Sequence, residues 1–250
     1  MTTATSNVEK NLKNVRELFD SYLNSVFMKR REGWSEKPLS DLIVVTHGYA
    51  FDGQYFVDDD DTHPILLTPG NFSEVGSLIF NERNTKRFTG DVPSGFALYE
   101  GDLVVVMTDL SSKMKILGKP AFVDRDGILH NQRIGRVIFK GEGLLPSFLY
   151  YFFRTADFIA SIKESATGTM VKHTAPKRIL SSIISFPSSV GEQKHIASNL
   201  DVLATEVEKL EMLYRAKALD LTKLRQSILQ RAFSGELSTP PSQTIKEAAE

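Results

Sequence analysis

Cysteine is missing from all 250 residues, which excludes disulfides and thiolate metal sites and agrees with a cytoplasmic setting. No apolar run approaches the ~20 residues needed to cross a bilayer. The opening MTTATSNVEK lacks the charged and apolar regions of a signal peptide, so no membrane association is expected. Neither sign of charge dominates: 30 Lys and Arg stand against 31 Asp and Glu, for a net charge of −1. Any nucleic-acid surface must therefore be a local patch. Catalytic signatures are missing too. The chain has no G-x-x-x-x-G-K-[ST] phosphate loop, no G-x-G-x-x-G and no H-E-x-x-H. It also lacks the Asn/Asp-Pro-Pro-Tyr signature of amino-methyltransferases. Its five histidines are scattered singly. The run Asp58-Asp59-Asp60-Asp61 reads as a solvated loop rather than a metal site. No metal and no cofactor is expected on this chain.

What is present starts with two helical stripes. In the C-terminal part Leu200, Leu203, Val207, Leu210, Tyr214, Leu221, Leu224 and Ile228 recur in steps of three and four, interrupted by Lys217. A period of about 3.5 is that of a helix laying a narrow stripe against a partner helix. The other faces carry Glu206, Glu208, Lys209, Glu211, Arg215 and Lys223, as a coiled-coil exterior should. Ser189 with Glu192 reads as a capping box and Gly235 as the C-terminal stop. Near the N-terminus Ser6 with Glu9 repeats the box. A second stripe follows: Val8, Leu12, Val15, Phe19, Tyr22 and Val26, closed by Lys29, Arg30, Arg31 and Gly33. The two helices also share an L-x-x-S-x-L-x-x-x-F pattern, at Leu18–Phe27 and Leu224–Phe233, as two parts of a repeated design would, or simply two amphipathic helices built from common helix residues.

Between them the chain is an α/β (α+β) domain with a small mixed sheet or partial barrel. Strands are expected at Ile43–Val45, Ile65–Leu67, Phe96–Tyr99, Leu103–Met107, Ala121–Val123 and Ile134–Phe139, and one helix from Pro146 to Glu164. The expected organisation is an N-terminal helix over 1–33, the α/β domain over 34–188, a long spacer helix over 189–237 and a polar tail over 238–250. Trp34 is read as a core anchor. Gln193 and His195 are assigned to the junction between domain and helix.

From Asp109 to Lys140 seven basic residues face three acidic ones, and Lys172, His173, Lys177 and Arg178 form a second basic cluster. Lysine and arginine neutralise phosphates, whereas Asn, Gln, Thr and Ser can pair with base edges. The candidate DNA-contacting residues are Lys113, Lys115, Asn131, Gln132, Arg133, Thr169, Lys172 and His173. On residues alone, they read equally as turn and strand-edge residues with solvated charge, and a coiled-coil scaffold whose α/β domain binds another protein is the alternative function.

Several segments in order resemble the specificity subunit of type I restriction–modification systems, in a half-length form with one target-recognition domain. They are Gly101-Asp102-Leu103-Val104-Val105, His130-Asn131-Gln132-Arg133, Gly168-Thr169, Ile183-Ile184-Ser185-Phe186-Pro187, Glu192-Gln193-Lys194-His195-Ile196 and Leu224–Leu237. The resemblance implies a non-catalytic subunit that reads one half of a bipartite site in double-stranded DNA. It further implies pairing with a second copy through the helices. Methyltransferase subunits would supply the S-adenosylmethionine chemistry, with a restriction or translocase subunit as a further partner.

Overall fold

The computed structural model describes residues 3–28, 32–58 and 62–234. The basic run at Lys29–Arg31, three of the four consecutive aspartates, Gly235 and the polar tail lie outside the described residues. The elements in chain order are α1 (Thr3–Met28), β1 (Trp34–Pro38), α2 (Leu39–Leu42), β2 (Ile43–His47), β3 (Phe56–Val57), β4 (Ile65–Leu67), β5 (Lys86–Phe88), β6 (Ala97–Leu98), β7 (Leu103–Val106), β8 (Thr108–Asp109), β9 (Pro120–Phe122), β10 (Ile128–His130), β11 (Ile134–Phe139), α3 (Pro146–Phe152), α4 (Ala156–Glu164), β12 (Lys172–His173), α5 (Pro176–Leu180), β13 (Ile183–Pro187) and α6 (Val190–Phe233). They fall into two compact units. One spans Asp20–Asp201, and the other joins the described parts of Met1–Phe19 and Val202–Glu250.

The larger unit is built around β7. Its sequence Leu-Val-Val-Val is buried throughout, and the period of two sends its side chains to two different cores. Leu103 and Val105 join Ile43, Val45 and Val137 against Phe148, Leu149, Phe153 and Ile162 of the helices. Val104 and Val106 join Leu67, Leu98 and Ile128 of the other sheet. A four-stranded antiparallel sheet in the order β2-β11-β7-β9 thus has helices on one face and a five-stranded sheet, β3-β5-β4-β10-β6, on the other. The β4–β10 pair is parallel, which makes the second sheet mixed. Each strand expected from the sequence is present, the Ile65–Leu67 and Ile134–Phe139 runs with the same bounds.

Two expectations are corrected. The helix read as continuous from Pro146 to Glu164 is two helices, because Thr155 takes an extended conformation and its hydroxyl accepts the Phe158 N–H as an N-cap. The first helix begins by Thr3, so Ser6 lies inside it and caps nothing at its start. Trp34 is a core anchor, edge-on to Phe148 at 6.0 Å. It also opens β1, a strand that escapes the sequence reading because Trp34-Ser35-Glu36-Lys37-Pro38 carries no alternating apolar pattern. Its register against β13 supplies the pairing instead.

At the start of α6 the Glu192 N–H reaches the Ser189 hydroxyl at 3.4 Å, while the Glu192 carboxylate accepts the Trp34 indole N–H. Gln193 is fully buried. Its amide nitrogen donates to the carbonyls of Gly143 and Pro187, and its amide oxygen accepts the Leu145 N–H, all at 2.8 Å. Tyr151 donates to Asp201 at 2.6 Å. Burial and the neighbouring carboxylate both push that phenol well above the ordinary tyrosine range.

In the smaller unit, the long helix meets its partner within the same chain. Arg16 grips the Glu211 carboxylate through both Nε and Nη2, and Glu9 and Leu12 line a cleft with Arg215, so the two helices run antiparallel. The face of α6 turned inward carries Ala204, Val207, Glu211, Tyr214, Ala218 and Leu221, all partly buried. On α1, Val8 and Phe19 are buried and Leu12 and Val15 partly so. The stripe read as one seam therefore divides. Val207, Tyr214 and Leu221 face inward, whereas Leu203, Leu210, Leu224 and Ile228 stay 40–57% exposed. In the larger unit, Leu200 and Val26 are buried in their stripes, but Tyr22 is exposed and its neighbour Leu23 is the buried residue.

Candidate nucleic-acid interface

The predicted residues lie on three loops, and short ladders bring these loops together. After Met107 the chain forms β8, which pairs antiparallel with β12, setting Thr108 opposite His173 and Asp109 opposite Lys172. The Thr174 N–H reaches the Met107 carbonyl at 2.9 Å, and Thr167 and His173 exchange two backbone bonds. The loop holding Thr169 is thereby fastened to the one holding Lys113 and Lys115. The Met107 N–H in turn donates to the Arg133 carbonyl at 2.9 Å, which joins the Asn131–Arg133 turn to the same edge.

Each loop is shaped from within. Asp109 is buried, and its two carboxylate oxygens accept the N–H groups of Ser111 (2.8 Å) and Ile116 (3.0 Å), closing the 110–116 segment around it. In the turn, the Asn131 side chain is buried and accepts the Arg133 N–H at 3.0 Å. Gln132 donates its backbone N–H to the Tyr49 carbonyl, and Tyr49 donates its own to His130. A Cβ on Gly48 would lie 2.1 Å from the His130 carbonyl, so only glycine allows this close passage. Beneath the turn, buried His130 donates Nε2–H to the Ile134 carbonyl at 2.9 Å. Desolvation holds its pKa below the ordinary imidazole value.

The basic count along the sequence overstates what solvent meets. Arg136 is paired with Asp102, Arg125 with Asp124, Lys115 with Glu74, and Lys140 donates to the Ser40 carbonyl. Lys119 is largely withdrawn from water; burial first, then Arg154 nearby, lowers its pKa. Among the described residues, Lys113 and Arg133 are the two of the seven that are exposed with their charged ends outside any hydrogen bond or ion pair. Gln132 and Thr169 are exposed as well. Lys172 donates to the Gly168 carbonyl at 2.7 Å, and His173 Nδ1 sits 3.0 Å from the Thr108 hydroxyl. Asn131 holds the turn while Gln132 and Arg133 are what it displays. Lys177 and Arg178 stand on α5, outside these loops.

Tyr49, 41% exposed, is tied to the Gln132 turn, a neighbour that strand patterning alone does not bring there. The available signal was Gly48 before an aromatic at a strand end. Leu110 and Met170 stand exposed on the same loops, and single apolar residues in loops carry no periodicity that would single them out in the sequence.

A family model for the type I restriction modification DNA specificity domain matches residues 31–213. The chain belongs to that family. Among curated specificity-domain relatives, the EcoBI specificity subunit of Escherichia coli is 21% identical over 235 residues, covering 94% of this chain and 46% of the relative. The StySPI specificity subunit of Salmonella potsdam is 23% identical over 218 residues, covering 84% and 45%. The chain thus spans about half the length of the relatives it matches. Among solved structures, the fold is shared with a chain from a study of complex assembly and conformational transition in the type I R-M system (TM-score 0.70, 15% identity, 91% of this chain and 54% of that one). It is also shared with the HsdS subunit from Thermoanaerobacter tengcongensis (TM-score 0.61, 15% identity, 92% and 53%). Among the described residues no three His, Cys, Asp or Glu side chains cluster as a metal site. No described helix is long and apolar enough to cross a membrane.

Proposed function

We propose that this member of the specificity-domain family is the non-catalytic, sequence-reading subunit of a type I restriction–modification complex. The observation that carries the reading is that a family chain gathers Lys113, Gln132, Arg133, Thr169 and His173 on three loops at one edge. A guanidinium and an ammonium there suit phosphates, and an amide and a hydroxyl suit base edges. The chain carries no cofactor of its own. Methyltransferase subunits supply the S-adenosylmethionine chemistry, and a restriction or translocase subunit completes the complex where one is encoded.

The working unit is a pair of copies, each reading one half-site in double-stranded DNA. Support comes from the exposed row Leu203, Leu210, Leu224 and Ile228, an apolar stripe that the intrachain pairing leaves in water. Two-fold symmetry makes the target an interrupted inverted repeat. With α6 about 66 Å long, more than one turn of duplex can separate the half-sites.

The test is a selection from random duplexes with the methyltransferase subunits present, followed by mobility shifts across salt concentrations. Recovery of an interrupted inverted repeat is expected. A single uninterrupted asymmetric site rules out the symmetric pair. A chain that retains its partner subunits but binds no duplex is a scaffold instead.

A further inference from the structure

Where the β8–β12 ladder ends, the chain turns apolar side chains outward. The ladder's last pair sets Asp109 opposite Lys172, and the chain leaves it through Leu110 on one side and enters it through Met170 and Val171 on the other. Leu110 is 58% exposed, Met170 79% and Val171 37%. Apolar groups gathered at a loop tip are poorly accommodated by water and mark a contact surface.

The tip is stiff. Asp109 clamps the Leu110 side through Ser111 and Ile116, and the Thr167–His173 backbone pair closes the Met170 side. Gly168 sits at φ +96°, where an added Cβ would lie 2.0 Å from the Val171 carbonyl; the bend is too tight for any side chain. Each loop also carries a lysine: exposed Lys113 follows Leu110 by three residues, and Lys172, next to Val171, donates to the Gly168 carbonyl at 2.7 Å.

A preorganised apolar point with cations on the same two loops matches a duplex. Phosphates take the cations, and the apolar groups enter the stack, as side-chain wedges do in proteins that kink DNA. A protein partner fits less well, since three side chains on a two-residue ladder fall far below the roughly 800 Å² per partner of a stable interface. We propose that Leu110, Met170 and Val171 form a wedge that enters one base step of the bound duplex and unstacks it. Part of the sequence preference is then read through how easily that step deforms. The inference rests on the DNA-reading function proposed above.

The test uses the full chain with its methyltransferase subunits and duplexes recovered by the selection, with 2-aminopurine placed at each pyrimidine–purine step in turn. One step should brighten several-fold on saturation with the wild-type chain and with M170F, which keeps an apolar point. The triple variant L110S/M170S/V171S changes only exposed groups. It should still shift the duplex with an unchanged salt slope, bind about tenfold more weakly, and leave the fluorescence at its free-duplex value. No brightening at any step on duplexes that bind well overturns the wedge and leaves DNA reading intact. Brightening that survives in the triple variant also overturns it, as does a triple variant that unstacks normally but loses its methyltransferase subunits. If the selection returns no duplex, the recognition function fails first.

Discussion

Gln193 shows how much one side chain can hold. It is fully buried and satisfies one N–H and two carbonyls from two separate loops. Gln193→Ala leaves one buried and two part-buried backbone groups without that partner, so a loss of about 2 kcal/mol is expected in denaturant unfolding. A loss below about 1 kcal/mol would mean that water replaces the amide.

His130 adds a pH dependence. Its folded-state pKa lies below the ordinary value of 6.5, so between the two values the unfolded chain binds the extra proton. The contribution is fully present above pH 6.5 and is lost as pH falls below it. Melting temperature should drop between pH 7 and pH 5, and His130→Gln should flatten that drop. At the surface, Lys113 and Lys115 are two residues apart but differ in partner, because Lys115 is engaged with Glu74 at 2.5 Å. Lys113→Ala should therefore lower the salt slope of DNA binding by about one, as expected for one lost phosphate contact, and Lys115→Ala by less. A slope left at the wild-type value in both variants would place neither lysine on a phosphate.

For the elements, the deciding event is that α6 finds its partner in α1. Arg16 holds the Glu211 carboxyl below its ordinary pKa, chiefly through their hydrogen bonds. That contribution is present above pH 4.5 and is lost as pH falls through the lowered value. Heptad spacing alone cannot say which neighbour a stripe meets, since a second copy and the same chain offer the same chemistry. Val207, Tyr214 and Leu221 face inward while Leu203, Leu210 and Leu224 face outward, so the one neighbouring helix covers only part of the stripe. Leu210→Ser with Leu224→Ser should leave the fold intact by circular dichroism and reduce the solution mass of the assembled pair to that of one copy. An unchanged mass would remove that row from the proposed interface.

Over the whole molecule, the elements with strong local patterns could be read directly. Leu103–Val106 and Ile134–Phe139 are apolar enough to declare themselves as strands, and Pro146 declares a helix start. The break at Thr155 could not be read, because one hydroxyl capping one N–H leaves no periodic trace. Likewise, β1, β8 and β12 are strands only because distant segments lie beside them.

The candidate interface divides along the same line. Sequence alone determined which residue types were available: the basic stretch, the Asn131–Arg133 trio, the Gly168-Thr169 turn and the two heptad rows. Tertiary structure decided which of them meet solvent. It turned Asn131 inward to hold its turn, neutralised Lys115 and Arg136 with carboxylates, and carried Met170 to the tip of a finger. Charge and periodicity are properties of a segment, whereas exposure and pairing depend on what chain folding brings next to it.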